Sequence, residues 1–419
     1  MLTRRQLLGA LRFAAIAGAA RPLLRAGTAI AAPRTRPRFY LQIIPQGGMD
    51  AVYTTDPKTT REVDKDIDVP FAAKDIVETS AMRLGPSFKM LRPWASRLAV
   101  VNAFRQNSAN HSSGLLHVTR CKSTALAAEP SLLEILGTRR EQIAAGSFNI
   151  GSTFGTSFSP KYFGTPSTAV FGSSPGLLEH LDAADPADLR TAAKALEREA
   201  AGLATARPTA AERTAADNLR ESAAFLTRAA QSPRFAPVDW KHDLEPLYGG
   251  GKDLQRALWL FENRIARCVT VLVGFQDFDT HLWNTTVQPA MTTYLGALLG
   301  KLFGELDARS LDGAPLSSQV AVIVGSEIGR FPRLNAAHGK DHFPQVSQLF
   351  FGPWFAGGAS YGATGRDMAA QPISLATGKL ERGGHLLRVD DIGTTLLDLD
   401  GANPELYGYS GNHLGFLAP

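Results

Sequence analysis

At 419 residues the chain is long enough for one large α/β domain with insertions or for two of ordinary size, and 44% apolar with 20% charged residues excludes a disordered chain. The formal charge of +5 is unevenly spread: no Asp or Glu precedes Asp50, whereas Arg4, Arg5, Arg12, Arg21, Arg25, Arg34, Arg36 and Arg38 all do. The remainder is close to neutral, which argues against a nucleic-acid partner, since that would need a basic face on the folded domain.

The first three dozen residues read as an export signal. Thr3-Arg4-Arg5-Gln6-Leu7-Leu8-Gly9 precedes a mildly apolar run broken by Arg12, and Ala29-Ile30-Ala31-Ala32 offers a small-residue cleavage site before Pro33. Adjacent arginines followed by two leucines resemble a twin-arginine signal. The run falls short of the ~20 apolar residues needed to span a bilayer. The expectation is a signal peptide over 1–32, a folded domain over 37–419, the twin-arginine export machinery as a partner, no transmembrane segment in the mature chain, and a periplasmic or secreted location. Cys121 and Cys268 are the only cysteines, too few for a disulfide framework and not in a metal-binding spacing.

Phe39 to Ile44 reads as a buried strand ending in Pro45-Gln46-Gly47-Gly48-Met49-Asp50, where paired glycines allow close approach and Asp50 presents a carboxylate. Residues 56–80 are polar and loop-like, and Leu84 to Trp94 predicts a short helix. A second strand over Arg97–Asn102 leads to Asn107-Ser108-Ala109-Asn110-His111-Ser112-Ser113-Gly114 and an apolar helix. Asn110, His111 or Ser112 can cap that helix, and its N-terminus is equally an anion site. His117 within it reads as a packed histidine. Residues 123–180, rich in Gly, Ser, Pro and Phe, read as loops with short elements. From about 183 to 250 the chain reads as a helical insertion, amphipathic helices lacking large apolar side chains.

A helix over Leu254–Arg267 feeds the strand Cys268–Val273, directly followed by Phe278-Asp279-Thr280-His281. Two nearby carboxylates and an imidazole at a strand end form a plausible metal-binding group. A helix over 292–309 then leads to the β-branched run Val320-Ala321-Val322-Ile323-Val324, which reads as a central parallel strand. Behind it come Ser326-Glu327-Ile328-Gly329-Arg330 and Gly339-Lys340-Asp341-His342-Phe343-Pro344. A strand over Gln348–Phe351 and a helix over Val389–Leu399 complete the pattern.

Four apolar strands thus each end in acid, His or Ser groups, and ligands bind in the crevice beyond the carboxyl ends of such strands. The candidate metal ligands are Asp50, Asn110, His111, Asp279, His281, Glu327, Asp341 and His342. Mixed carboxylate and imidazole donors favour Zn²⁺ or Mn²⁺, with Ca²⁺ or Mg²⁺ as alternatives.

The motifs TRRQLLG, QGGMD, ANHSSG, FDTH, SEIGR and GKDHFP, in this order, resemble the family called domain of unknown function 1501, exported sulfatase-like proteins of the alkaline phosphatase superfamily. The resemblance runs from the signal to nearly the C-terminus and is weakest in the helical insertion. It implies a three-layer sandwich with a central, mostly parallel sheet. It also implies Asp50 as a first-strand metal ligand, completed by Asp279, His281, Glu327 and Asp341 or His342. The superfamily places its nucleophile where Asn110 stands here, so Ser112, Ser113, Ser108 or a metal-activated hydroxide would have to attack. Arg330 would stabilise the oxyanion. The expected activity is hydrolysis of a small-molecule or polymer-borne phosphate or sulfate ester. The alternative is a non-catalytic, metal-binding surface or assembly protein that has lost its nucleophile.

Overall fold

In the run Val320–Val324, residues alternate between the two faces of a sheet while all five stay buried, so both faces need cover. The computed structural model supplies that cover. It describes residues 36–418 other than 80, 127–128, 139–142, 151–169, 172–180, 204–207, 241–248 and 275–276. The expected signal over 1–32 lies outside the described residues.

The eight strands of the sheet are β1 (Phe39–Pro45), β2 (Leu98–Arg105), β3 (Ala145–Ile150), β4 (Val170–Phe171), β5 (Ala266–Val273), β6 (Val320–Gly325), β7 (Gln345–Phe351) and β8 (Ala359–Tyr361). Their spatial order is β8-β2-β7-β6-β1-β5-β3-β4, and β7 alone runs against the rest. The helices are α1 (His111–Arg120), α2 (Leu132–Gly137), α3 (Pro186–Leu203), α4 (Ala210–Gln231), α5 (Gly251–Glu262), α6 (Asn284–Ala308) and α7 (Val389–Leu399).

Side-chain alternation assigns the layers. Phe39, Leu41, Ile43, Val322 and Val324 pack with Leu258 and Phe261 of α5 and with Leu295 and Leu299 of α6. Tyr40, Ala321 and Ile323 face the other way, onto Leu133 and Leu136 of α2 and Ile392 and Leu396 of α7. The result is the expected mixed α/β three-layer sandwich. Helices α3 and α4 pack along one another within the stretch read as an insertion. No helix among the described residues is long and apolar enough to cross a membrane. Cys121 and Cys268 are buried free thiols.

Several boundaries differ from the sequence reading, among them that of α5, expected over 254–267 and found at Gly251–Glu262. The segment expected as a helix over 84–94 is a 3-10 helix, Pro86–Arg97, with Pro93 inside it. Helix α6 begins at Asn284, eight residues before the expected start, and carries Pro289 within it. Proline disfavours a helix interior because it removes a donor and crowds the preceding turn. Beside Pro289 the buried Gln288 side chain ties this turn to the strand exits by donating to the carbonyls of Gly48 and Phe278, each at 2.8 Å. Strand β7 starts three residues earlier than expected, at Gln345.

Helix α2 carries a pH-sensitive cap. The Ser131 backbone N–H donates to Glu134 Oε2 at 2.6 Å, while the Glu134 N–H donates to Ser131 Oγ at 3.3 Å, a capping box. Burial pushes the Glu134 carboxyl up to about 7, against the opposing pull of the Ser131 contacts and Arg120. A raised carboxyl favours the folded state while protonated, so this stabilisation is complete below the ordinary value of 4.5 and is lost as pH rises through about 7. Glu134→Gln keeps an oxygen acceptor for the Ser131 N–H. It is expected to remove about 2–3 kcal/mol of pH dependence from unfolding between those values. Urea titrations at several pH values check this, and an unchanged pH profile would contradict it.

Candidate metal centre

The carboxyl ends of β1, β2, β5 and β6 open onto one edge of the sheet, and the antiparallel β7 enters from that same edge. Residues that follow the parallel strands therefore meet residues that precede β7. Asp50 follows β1, His111 follows β2, Asp279 and His281 follow β5, and Glu327 follows β6. His342 precedes β7, in a two-residue ladder that pairs it with Arg330.

His111 is delivered by the start of α1. Asn110 has an extended backbone, and its carboxamide oxygen accepts from the N–H groups of Ser112 at 3.0 Å and Ser113 at 3.2 Å. This is the N-cap alternative foreseen in the sequence. Helix α1 then lies close on the exit of β6, because a Cβ on Gly114 would come within 2.3 Å of the Glu327 carbonyl oxygen. That approach brings the His111 Nδ1 to 2.8 Å from Glu327 Oε1.

Four side chains converge. Donor atoms of His111, Asp279 and His342 lie within 4.8 Å of one another. Asp279 Oδ2 is 3.3 Å from His111 Nε2, and its Oδ1 is 3.3 Å from His342 Nε2 and 3.2 Å from His281 Nε2. The Nε2 atoms of His281 and His342 are 2.9 Å apart. Each ring is turned by an acceptor at its other nitrogen. Nδ1 of His111 faces Glu327, that of His281 faces Asp341 Oδ1 at 3.0 Å, and that of His342 faces the Ala109 carbonyl at 2.6 Å. These acceptors turn each ring so that its Nε2 faces inward, the orientation of ligating histidines around protein-bound metals.

The electrostatics follow from the contacts. Burial alone would lower His111, but its contacts with Asp279 and Glu327 outweigh this and lift it to about 9. Burial would raise Asp279, yet His111, His342 and Arg330 hold its carboxyl well below the usual range. The Arg330 Nη2 donates to Asp279 Oδ1 at 2.6 Å and also to the Gly47 carbonyl, while Nη1 donates to the Lys340 carbonyl at 2.9 Å. Gly48 makes room for this, since a Cβ there would lie 2.6 Å from Arg330 Nε.

Other residues expected at the site make the following contacts. Asp50, expected as a ligand, is wholly buried with its Oδ2 2.8 Å from Lys340 Nζ and its Oδ1 accepting from the Val52 N–H at 3.0 Å. Glu327 faces His111 and accepts from the Gly47 N–H at 2.7 Å and the Ser326 hydroxyl at 2.8 Å, so it braces an imidazole. Asp341 is exposed and supports His281. Asn110 is committed to its cap, and Ser112 is exposed. Arg330, expected to meet an oxyanion, is fully buried against Asp279. Sequence reasoning assigned nothing to Lys340, although it stands inside GKDHFP. It also passed over Asn335, whose side chain ties His281, Asp341 and Gly339 together.

The carboxylate and imidazoles fit a divalent cation. A tetrahedral site with bonds near 2.0–2.1 Å has donors about 3.3 Å apart, close to the spacings above. The buried His111 Nε2 has no aligned hydrogen-bond partner, and the Nε2 atoms of His281 and His342 face each other beside Asp279, so the donor atoms are turned toward one place.

No curated protein matches the sequence. Among solved structures the chain is similar to the lipoteichoic acid synthase LtaP from Listeria monocytogenes, at 8% identity and TM-score 0.41, covering 91% of this chain and 76% of that one. It is similar to TAB5 alkaline phosphatase at 10% identity and TM-score 0.40, over 88% of this chain and 99% of that one. A sulfatase from Pseudoalteromonas sp. aligns at 13% identity and TM-score 0.38, over 92% and 72%. The family model described as protein of unknown function (DUF1501) matches residues 40–413, and the chain belongs to that family.

Proposed function

We propose that the chain is a divalent-metal-dependent hydrolase of phosphate or sulfate esters. The observation that carries this is the convergence of His111, Asp279, His281 and His342, with every imidazole braced at Nδ1. His111, Asp279 and His342 would hold the cation, and a donor set rich in imidazole favours Zn²⁺ over Ca²⁺ or Mg²⁺. Three protein ligands with an open position is the pattern of a catalytic rather than a structural zinc site. When bound, the cation would supply a Lewis acid for an ester oxygen and make water a stronger nucleophile at neutral pH.

The chain's own groups do the rest. His281 is the most exposed of the three imidazoles, and Asp341 holds it with Nε2 toward the cluster. It is the residue suited to take a proton from the attacking water or give one to the leaving oxygen. Glu327 sets the angle of His111. Glu327→Gln is expected to weaken metal affinity 10–100-fold, an effect typical of groups that orient a ligating histidine. Calorimetric titration of the stripped protein with Zn²⁺ measures it.

The test is elemental analysis of the purified protein followed by a panel of aryl phosphate and aryl sulfate esters. Bound metal with turnover that vanishes in His281→Ala supports the proposal. Bound metal with no turnover on any ester would favour the second reading, a metal-binding surface or assembly protein. The cap role of Asn110, in the place where a nucleophile was expected, is the observation on that side. Export belongs to the same proposal, with residues 1–32 as a twin-arginine signal and 37–419 folded before transport. Arg4→Lys with Arg5→Lys is then expected to leave the protein in the cytoplasm on cell fractionation, and undiminished export would refute that part.

A further inference from the structure

We infer that this centre holds a single exchangeable cation, because the place beside Asp50 is filled permanently by the chain's own Lys340 ammonium. The inference rests on the metal-dependent reading above and concerns how many cations that reading admits. Asp50, at the exit of the first strand, and Lys340, beside the ligating His342, are both fully buried and 2.8 Å apart. A second carboxylate, Asp68, lies 3.9 Å from the same ammonium. The Tyr53 ring lies beneath it, with its centroid 5.7 Å from Nζ, a surface that favours a cation.

The carboxylate at the exit of β6 is also engaged. Glu327 divides its oxygens among the Gly47 N–H, the Ser326 hydroxyl and His111. Arg330 lies between the two halves, bonded to Asp279 and to the Gly47 and Lys340 carbonyls. A second dication drawn to Asp50 would have to expel a paired ammonium and sit near a buried guanidinium. Coulomb repulsion at such spacing in a poorly solvated interior opposes that strongly. The fixed charges of Lys340 and Arg330 thus stand behind the exchangeable ion, and the chemistry proceeds with one Lewis acid.

The experiment is a titration of chelator-stripped protein with Zn²⁺ alone, read by elemental analysis after desalting, and with Co²⁺, read by its visible absorption and electron paramagnetic resonance. One equivalent per chain and an uncoupled Co²⁺ signal are expected. Asp50→Asn combined with Lys340→Met is expected to keep that equivalent with affinity within about threefold, as for side chains that do not touch the metal. Two equivalents, a coupled Co²⁺ pair, or loss of the metal from a folded double variant would overturn the inference while leaving metal dependence intact. No bound metal in the wild type would overturn the metal reading itself. The wild-type stoichiometry decides the matter even where the double variant does not fold.

Discussion

Asp279→Ala is expected to abolish metal binding and, in the same step, to lower stability by about 3–5 kcal/mol. The two effects share one cause. Asp279 is the only carboxylate among the three groups whose donor atoms converge, so its loss removes the one anionic donor from that set. It is also the counter-ion of Arg330, a side chain with no exposure, whose charge burial already disfavours and Asp279 supports. Breaking a buried pair from one side costs more than the pair itself contributes, because the stranded charge cannot recover its water. Asp279→Asn keeps an oxygen for the Arg330 Nη2 and is expected to recover part of the stability but not the metal. Urea denaturation and elemental analysis on the same preparations check both. Wild-type metal content and stability in the alanine variant would remove Asp279 from the centre.

The second large effect is expected at Lys340→Met. This variant leaves the fully buried Asp50 carboxylate, among the described residues, with the Val52 N–H as its one hydrogen-bond donor, and takes from Asp68 the cation that lowers it against burial. A loss of about 3–5 kcal/mol is expected. Adding Asp50→Asn is expected to restore most of it, since removing both charges removes the desolvation cost with the attraction. The strongly non-additive pair is the signature. Equal and additive losses would show that the ion pair is not the reason for the burial.

Much of this was legible in the residues. Runs such as Phe39–Ile44 and Val320–Val324 are too apolar and β-branched to be anything but covered strands, and each is followed at once by polar groups. That punctuation singled out His111, Asp279, His281 and His342, together with Asp50, Asn110, Glu327 and Asp341, as candidates. What stayed hidden depends on direction and distance. Nothing in Gln345–Phe351 announces that it runs antiparallel, yet only that direction brings His342 to the edge where the other strands end. The partner of Asp50 lies 290 residues away, and a lysine destined for the interior carries no local mark of it. Asn110 was open to reading as a cap or a ligand and is held as the cap, whereas Arg330 was read by residue type and is buried against Asp279.

The reversed entry of β7 also sets a timetable for biosynthesis. The cluster draws on residues from 111 to 342, and its last imidazole belongs to the ladder that leads into that strand. A ribosome-bound chain that has not yet released residue 342 cannot close the constellation, whatever ions surround it. Acquisition of the ion therefore waits until most of the polypeptide has been made, and a prematurely terminated product would be empty as well as short.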